Sequence, residues 1–293
     1  MAHSKLASLL QASKRVQVGD PAGLQEKIRK MVDGGTSNLQ FIVDFDYTLT
    51  RSHKNGTPVD CSWGVLENYK KLGPDYVKKT NALRSKYHPI ELDLSISLEE
   101  KIPRMVEWYT QANSLLTEAG VHKDWYEDMI KNSTCELRDD TDTLMISLEE
   151  LKIPVLILSA GLGDLILEIL KHYQLVHTNT KVVSNFCNYD EEGLICGLKP
   201  PMIHMYNKSE SSIHDPELEH RHNVVLIGDS LGDLHMAEGV KNPNVILTIG
   251  FLNNKIEENL EKYKENFDVV LVDDQTMEFP LAILEEIKAK TSS

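Results

Sequence analysis

The feature that most constrains the fold is FIVDFDYTLT at residues 41–50, a short apolar run that ends in two carboxylates and a hydroxyl. The apolar start predicts a buried strand of about five residues. Asp44 and Asp46 are two positions apart, so on a continuing strand both side chains point to the same side. At the carboxyl end of a parallel sheet that side opens on the crevice in which ligands bind. One aspartate could then attack a substrate while the other transfers protons.

Two later apolar runs also end in polar motifs. Residues 154–158 lead into SAGLGD at 159–164, and residues 223–227 lead into GDSLGD at 228–233, each followed by a helical pattern. A strand, a turn of small residues and a helix present backbone N–H groups to an anion. Further strands are expected at 181–184, 245–248 and 268–272, and a hairpin around 188–193. Strands alternating with helices predict a doubly wound α/β fold, a Rossmann-like parallel sheet with right-handed crossovers.

Helical patterns flank the first strand. A weakly amphipathic helix is expected over residues 3–16, and Asp20-Pro21 begins a second helix that Gly34-Gly35 ends. Residues 51–56 form a polar loop, after which 62–149 is almost entirely helical in pattern.

This order of elements predicts two domains. A catalytic core would comprise residues 1–50 and 150–293, and a helical cap would be inserted after the first core strand as residues 51–149.

The charge composition limits which kinds of binding partner are expected. With 31 Lys and Arg against 45 Asp and Glu, the net charge of −14 disfavours a nucleic acid polymer or an anionic membrane surface as a partner. An anionic small substrate would need a metal ion or a few placed cations.

The cysteines and the N-terminus bear on the compartment. The four cysteines show no C-x-x-C spacing, which argues against a zinc site or a disulfide framework. The apolar patch near the N-terminus is too short for a secretion signal or a membrane span. We expect a cytoplasmic protein, with a monomer as the default expectation.

The motifs resemble those of the haloacid-dehalogenase superfamily of phosphotransferases: DFDYT at 44–48, a hydroxyl residue after the second strand, a lysine, and GDSLGD at 228–233. With MVEWYT at 105–110, the likeness extends to the cytosolic 5′-nucleotidase III family over about residues 25–285. Within that family the chain looks most like the branch that acts on 7-methylguanosine phosphate.

The resemblance implies a chemistry for the core residues. Mg²⁺ would be held by Asp44, by the main-chain carbonyl of Asp46 and by Asp229, which would neutralise a phosphate dianion before attack. Asp44 would form an aspartyl-phosphate, and Asp46 would donate a proton to the departing nucleoside oxygen and later take one from water. Thr48 and Asp233 would have supporting roles, orienting Asp46 and the metal ligands.

The phosphate-binding residues leave alternatives open. Ser159, with Ala160 and the amides that follow, would bind phosphate, but a serine at this point is also a common helix N-cap. Lys208, at the end of the run Tyr206-Asn-Lys, would be a second cation, and Lys199 is a nearby competitor. Without the other motifs, an aspartate pair at a strand end is an ordinary turn or cap feature.

The cap would choose the leaving group. Glu91 matches the family residue that contacts the base, where a carboxylate accepts hydrogen bonds from an amino group, although it could also be a solvated loop charge. Trp63 and Tyr109 could enclose a purine between their rings, and a cationic 7-methylguanine would favour ring faces. Because Trp108 and Tyr109 are adjacent, only one of them is expected to face the ligand.

Three functional hypotheses follow. The first is a magnesium-dependent 5′-nucleotidase for nucleoside monophosphates, 7-methyl-GMP first and CMP or UMP next. Ala112 bears on this preference, because the pyrimidine-preferring branch has serine at the matching position, and the balance between purine and pyrimidine stays open. The second is a nucleotide-binding module with weak or lost catalysis, and the third is another small-molecule phosphatase of the superfamily.

Overall fold

This computed structural model describes residues 5–12, 14–93, 95–205, 207–208 and 216–291. The described residues include eleven strands and eleven α-helices. The strands are β1 (Val16–Gln17), β2 (Leu39–Val43), β3 (His53–Lys54), β4 (Thr57–Pro58), β5 (Val155–Leu162), β6 (Thr180–Asn185), β7 (Cys187–Tyr189), β8 (Ile195–Leu198), β9 (Asn223–Gly228), β10 (Val245–Leu252) and β11 (Val269–Val272). The helices are α1 (Lys5–Ala12), α2 (Pro21–Gly34), α3 (Ser62–Glu67), α4 (Gly73–Leu92), α5 (Leu98–Glu118), α6 (Tyr126–Asn132), α7 (Thr141–Glu150), α8 (Gly163–His172), α9 (Pro216–Glu219), α10 (Ile256–Asn266) and α11 (Glu278–Thr291).

The main sheet has seven strands in the order β1-β11-β10-β9-β2-β5-β6. Six of these strands are parallel, and β1 pairs antiparallel with β11 at one edge. The central strand β2 is buried along its whole length because both faces of the sheet are covered: Phe41 and Val43 belong to one hydrophobic cluster and Ile42 to another. The predicted doubly wound α/β sheet is confirmed.

The strand order reverses direction at β2. The chain proceeds from β2 to β5 and β6 on one side, then returns to β9, β10 and β11 on the other. Val43 therefore pairs with Ile157 of β5 and with Ile227 of β9. Loops that leave neighbouring strands in opposite directions leave a crevice between them, and the motifs at the ends of β2, β5 and β9 all lie there.

Strand β5 is longer than predicted. It continues to Leu162, through the small residues expected to form a turn, and α8 begins at Gly163. The pairing with β6 shifts register between Leu158 and Leu162, so these residues leave the regular ladder while staying extended. The hairpin predicted around 188–193 is present as β7 and β8.

Two small β elements were not predicted. The first helix ends at Ala12, not near residue 16, because Val16 pairs with Leu271 of β11; its expected start at residue 3 lies outside the described residues. The loop expected at 51–56 contains the hairpin of β3 and β4, whose turn residues Asn55 and Gly56 have positive φ.

Helices α3 to α6, called the inserted helices below, lie between β2 and β5 in the chain. The two segments that connect them to the sheet run side by side: Thr50 and Leu137 form an antiparallel bridge. Further out, the Asp60 carboxylate accepts hydrogen bonds from the N–H and hydroxyl of Thr134, both at 2.9 Å. Helix α7 follows and packs against α11. The domain boundaries at residues 51 and 149 stay a prediction.

Candidate active site

The chain turns sharply at the end of β2, directly after Asp44. The Asp44 N–H donates to the carbonyl of Ile227 at 2.9 Å, so this aspartate keeps the position of a strand residue. Tyr47 has a φ of 60°, a backbone conformation that costs about 1–3 kcal/mol for a non-glycine residue. The Thr50 hydroxyl accepts a hydrogen bond from the Tyr47 N–H at 2.8 Å and stabilises the turn. The turn directs Asp44 and Asp46 into the crevice.

Arg138 holds this strained turn and was not found by sequence reasoning. Its guanidinium donates to the carbonyls of Tyr47, Thr48 and Asp274. The side chain is buried and lies 3.8 Å from the centre of the Phe251 ring. Burial lowers the pKa of Arg138 to about 9. Because several carbonyls converge on one rigid fork, the turn has little freedom to relax.

Asp44 lies in a buried cluster with Lys208 and Asp233. The Lys208 ammonium is 2.7 Å from a carboxylate oxygen of each aspartate, and the three side chains are 5%, 6% and 1% exposed for Lys208, Asp44 and Asp233. The Thr48 hydroxyl donates to the other Asp44 oxygen at 3.0 Å. Burial raises the pKa of Asp44 to about 7, against the opposing effect of Lys208. Thr48 therefore contacts Asp44, whereas the sequence predicted that it would orient Asp46.

Asp229 completes an acidic group with Asp44 and Asp233. One oxygen from each of the three carboxylates lies within 4.8 Å of the others. Asp233 also accepts hydrogen bonds from the N–H groups of Asp229 and Ser230, so it fixes the loop after β9. Burial and then the nearby carboxylates raise the pKa of Asp229 well above its usual range. The Lys208 ammonium pairs with two of these three carboxylates, and three oxygens at this spacing are a donor set that suits a hard divalent cation.

Asp46 has a different environment, set by a residue that sequence reasoning missed. The Ser62 N–H donates to one oxygen of the Asp46 carboxylate at 2.6 Å, and the Ser62 hydroxyl donates to the other at 2.5 Å. Burial raises the pKa of Asp46, although the bonds from Ser62 act in the opposite direction. The Asp46 carboxylate is not in the acidic group that surrounds Asp44.

Ser159 and Ala160 lie at the crevice on strand β5. Ser159 is buried, and its hydroxyl accepts a hydrogen bond from the Gly161 N–H at 3.0 Å. The alternative that Ser159 caps the following helix is wrong, because the strand continues past it and α8 begins only at Gly163. The carbonyl of Ala160 accepts from Asn185 at 3.0 Å and from the Trp63 indole at 3.3 Å.

The structure distinguishes the two candidate lysines by position. Lys208 lies in the acidic cluster, whereas Lys199 lies over the ring of Phe186 at 6.0 Å from its centre. The side-chain oxygen of Asn207 accepts a hydrogen bond from the His204 N–H at 2.7 Å, which shapes the loop just before Lys208. Tyr206 of the predicted Tyr206-Asn-Lys run lies outside the described residues.

A cavity of about 150 Å³ opens between the β2 turn and the inserted helices. An apolar cavity of about this size accommodates one aromatic ring. Its lining residues are Tyr47, Cys61, Trp63, Glu67, Arg84, His88, Glu91, Trp108, Tyr109 and Ala112.

The aromatic wall of this cavity differs from the predicted arrangement. The centres of the Trp63 and Tyr109 rings are 6.3 Å apart, and the ring planes meet at 82°, so the rings contact each other edge to face. The expectation that only one of Trp108 and Tyr109 faces the cavity is wrong, since both line it. Trp108 also stacks on Tyr87, with the ring centres 5.9 Å apart and the ring planes at 14°. Trp108 therefore both lines the cavity and packs against α4.

Glu91 supplies a carboxylate in the same wall. Burial raises the pKa of Glu91 to about 7, while the positive charges of Lys101, Lys208 and Arg84 favour its ionised form. The Lys101 ammonium donates to the main-chain carbonyl of Glu91 at 2.9 Å. The structure thus brings the predicted core residues to one edge of the sheet and the predicted base-contacting residues to the adjoining cavity.

The doubly wound parallel sheet, with its polar motifs at the crevice beside β2, defines the class of protein as a Rossmann-like α/β protein. A solved structure described as a "probable phosphoserine phosphatase" from Vibrio cholerae has a similar fold, with a TM-score of 0.55 and 13% identity over 88% of this chain and 68% of that one.

The family follows from the sequence comparison. The sequence model of the family described as pyrimidine 5′-nucleotidase (UMPH-1) matches residues 47–288. The chain belongs to this family of 5′-nucleotidases, which are phosphoric monoester hydrolases.

Two relatives match nearly the whole chain. The 7-methylguanosine phosphate-specific 5′-nucleotidase A of Xenopus laevis is 41% identical over 279 residues, which are 94% of this chain and 96% of that protein. The crystal structure of cytosolic 5′-nucleotidase IIIB bound to cytidine superposes with a TM-score of 0.89 at 34% identity, covering 98% of this chain and 97% of that one.

Within the described residues, no helix combines the length and apolar composition that crossing a membrane requires.

Proposed function

We propose that the chain hydrolyses nucleoside 5′-monophosphates in a Mg²⁺-dependent reaction through an aspartyl-phosphate at Asp44, with 7-methyl-GMP as the first substrate and CMP and UMP next. The observation that carries the proposal is the cluster in which Lys208 bonds Asp44 and Asp233 beside Asp229, next to an aromatic cavity. The cluster supplies the chemistry of phosphate transfer, and the cavity supplies a place for a base.

Mg²⁺ would be held by Asp44, Asp229 and the main-chain carbonyl of Asp46. The fit rests on the donor set: carboxylate oxygens within 4.8 Å of one another, with one ammonium among three acidic side chains. Oxygen ligands of this kind suit Mg²⁺ in phosphate-processing sites. When bound, the ion would neutralise the phosphate charge that otherwise repels the attacking carboxylate.

Asp44 would act as the nucleophile. Lys208 and the Thr48 hydroxyl contact different oxygens of its carboxylate, and these two contacts fix its rotation. Lys208 would also pair with a phosphate oxygen, and Ser159 with the amides after it would donate to the others. Attack forms the bond from Asp44 to phosphorus as the bond from phosphorus to the nucleoside 5′-oxygen breaks.

Asp46 would be the acid and then the base. It would donate its proton to the departing 5′-oxygen and regain one from the water that hydrolyses the aspartyl-phosphate. Its position outside the acidic group supports a role distinct from that of Asp44. Burial raises the pKa of Asp46, which favours the protonated form that the first step needs. Asp233 would support the metal ligands from the Lys208 side.

The cavity lined by the inserted helices would bind the base. Glu91 would accept hydrogen bonds from an exocyclic amino group and an N–H, as in guanine and in part cytosine. Trp63 and Tyr109 contact each other edge to face, so a base would stack on one of these rings and would not lie between them. A 7-methylguanine carries positive charge, so its binding would be stabilised by the aromatic ring faces and by the Glu91 carboxylate.

The relatives support two substrate preferences. The Xenopus relative is named for 7-methylguanosine phosphate, the matching family for pyrimidine nucleotides, and the similar crystal structure holds cytidine. Alanine at position 112, in the cavity wall, removes a hydroxyl that the pyrimidine-preferring branch would have there. This difference favours 7-methyl-GMP as the better substrate of this chain.

The helical segment 51–149 would act as a cap that excludes water during attack and admits it afterwards. The Thr50–Leu137 bridge, where the two connecting segments meet, supports a hinge at this point. We propose a cytosolic monomer as the working form; the similar structure is named as a cytosolic enzyme.

One set of rates tests the proposal. Phosphate release is measured with 7-methyl-GMP, GMP, CMP, UMP, AMP, phosphoserine and a sugar phosphate at one Mg²⁺ concentration, with Asp44→Asn as the control. We expect 7-methyl-GMP to give the highest kcat/KM and Asp44→Asn to release no phosphate while remaining folded. Turnover by Asp44→Asn would refute the aspartyl-phosphate. Faster turnover of phosphoserine or the sugar phosphate would favour the hypothesis of another phosphatase of the superfamily. Nucleotide binding without turnover would favour the hypothesis of a nucleotide-binding module.

A further inference from the structure

Ser62 makes an unusually complete contact with a catalytic carboxylate. It is the first residue of α3, its side chain is fully buried, and both of its donors bond Asp46. The main-chain N–H reaches Oδ1 at 2.6 Å and the hydroxyl reaches Oδ2 at 2.5 Å. Two donors from one residue fix both side-chain torsions of the aspartate.

Gly161 makes this contact possible from the other side. A Cβ at position 161 would collide with the Ser62 hydroxyl and would lie 2.8 Å from the Asp46 carboxylate and 3.1 Å from the Ser159 hydroxyl. Strand β5, the β2 turn and helix α3 therefore meet at this point, with no space for a side chain between them. Such tight packing restricts Asp46 to one position relative to the phosphate-binding strand.

We propose that Ser62 is a positioning residue that holds Asp46 where it can transfer a proton to the leaving 5′-oxygen. The inference rests on the proposed role of Asp46 as the acid and adds the residue that orients it. Proton transfer depends steeply on placement, and shifts near 1 Å can cost about a hundredfold in rate. A carboxyl group held only by solvent would sample several orientations, whereas Ser62 holds it in one.

The two donors also assign the proton to one oxygen. A main-chain N–H can only donate, so Oδ1 stays an acceptor throughout. The Ser62 hydroxyl can donate to a lone pair of Oδ2 whether or not that oxygen carries a proton, so a proton on Oδ2 stays free to reach the substrate. The Oδ2–H bond therefore breaks as the proton bonds the 5′-oxygen leaving phosphorus, and Oδ2 regains a proton when the hydrolytic water attacks the aspartyl-phosphate.

The next residue extends this positioning to the base cavity. Trp63 lines the cavity, and its indole donates to the carbonyl of Ala160 at 3.3 Å. Adjacent residues of α3 thus contact the proposed base site and the proposed acid. A base bound against Trp63 would stabilise the position of α3 that keeps Ser62 bonded to Asp46.

The test compares two substrates that differ in one atom. CMP leaves as an alkoxide and needs a proton, whereas its analogue with sulfur in place of the 5′-oxygen leaves as a thiolate, and a thiol has a pKa of about 8.5. The rate compared is kcat/KM, which reports only the steps up to formation of the aspartyl-phosphate. For Ser62→Ala we expect kcat/KM with CMP to fall about 10- to 100-fold, and kcat/KM with the thio analogue to fall less than about threefold. The ratio of the two rates does not depend on the fraction of folded enzyme.

Three controls give the result its meaning. Thr134→Ala removes the hydrogen bond from the Thr134 hydroxyl to the Asp60 carboxylate, which lies just before α3 and does not involve Asp46. We expect this variant to leave the ratio of the rates on the two substrates unchanged. Asp46→Asn should show the same preference for the thio analogue, and adding Ser62→Ala to it should cause no further loss.

Equal losses on both substrates, or multiplicative losses in the double variant, would overturn the assignment of Ser62. If Asp46→Asn itself showed no preference for the thio analogue, the proposed role of Asp46 would fail instead.

Discussion

Replacing Lys208 by methionine tests the centre of the proposed site. The change keeps a long, flexible side chain and removes one positive charge that is 5% exposed and lies 2.7 Å from both Asp44 and Asp233. Two buried carboxylates would lose their shared partner, and Asp229 beside them would add to the repulsion.

The geometry gives the expected magnitude. At 2.7 Å and an effective dielectric constant of about 20, each ion pair contributes roughly 6 kcal/mol of attraction. The cost of removing an ammonium from water offsets several kcal/mol of this total. Losing one partner of a buried pair typically costs about 3–5 kcal/mol, and we expect Lys208→Met to lower the free energy of unfolding by that amount. Loss of one donor to the transferring phosphoryl group should lower kcat about 10²- to 10³-fold.

Two assays measure these effects. Urea unfolding in EDTA reports the stability without a metal ion, and phosphate release from CMP with Mg²⁺ reports kcat. Lys199→Met is the matched control, because Lys199 lies over Phe186 away from the acidic cluster, and we expect both quantities to change little. A Lys208→Met variant with kcat within threefold of the wild type would refute the role of this ammonium, as would a larger loss in Lys199→Met.

Three further predictions follow from the same structure. Arg138→Met should lower the free energy of unfolding by about 3 kcal/mol or more in urea titrations, because each buried carbonyl that loses its donor costs about 1–3 kcal/mol. Arg138→Lys should restore less than half of that loss, and equal stability of all three proteins would contradict the prediction. Burial raises the pKa of Glu91 to about 7, so the ionised fraction of its carboxyl group increases between pH 6 and 8. The KM for CMP should therefore fall over that range in initial-rate measurements, and Glu91→Gln should abolish this pH dependence. Mg²⁺ at about 100 times its Kd should add about 2.7 kcal/mol to the stability and raise Tm in thermal melts, and Asp229→Asn should abolish this rise.

Local patterns were sufficient to locate the parallel strands at the centre of the main sheet. The apolar runs before Asp44, Ser159 and Asp229 predicted β2, β5 and β9, because buried parallel strands are short and continuously apolar. The second helix was equally readable, since Asp20 accepts hydrogen bonds from the N–H groups at the first turn of α2.

Other elements left weaker traces. The hairpin of β3 and β4 has an Asn55-Gly56 turn, a signal that sequence reasoning could have used. Strand β5 was ended too early because small residues are typical of turns, although here they let Ser62 and Asp46 approach the strand at Gly161. The edge strand β1 depends on β11 at the other end of the chain, and no local pattern marks such a pairing.

The sequence by itself determined the proposed active site, because the order of strands in a doubly wound sheet brings the residues that follow β2, β5 and β9 to one edge. Only the tertiary structure decided which side chains hold those residues in place. Arg138 reaches the β2 turn, Ser62 reaches Asp46, and Trp108 shares a cavity wall with Tyr109. The first two contacts join different elements of the chain, and the geometry of all three depends on how the helices pack, which no periodicity encodes.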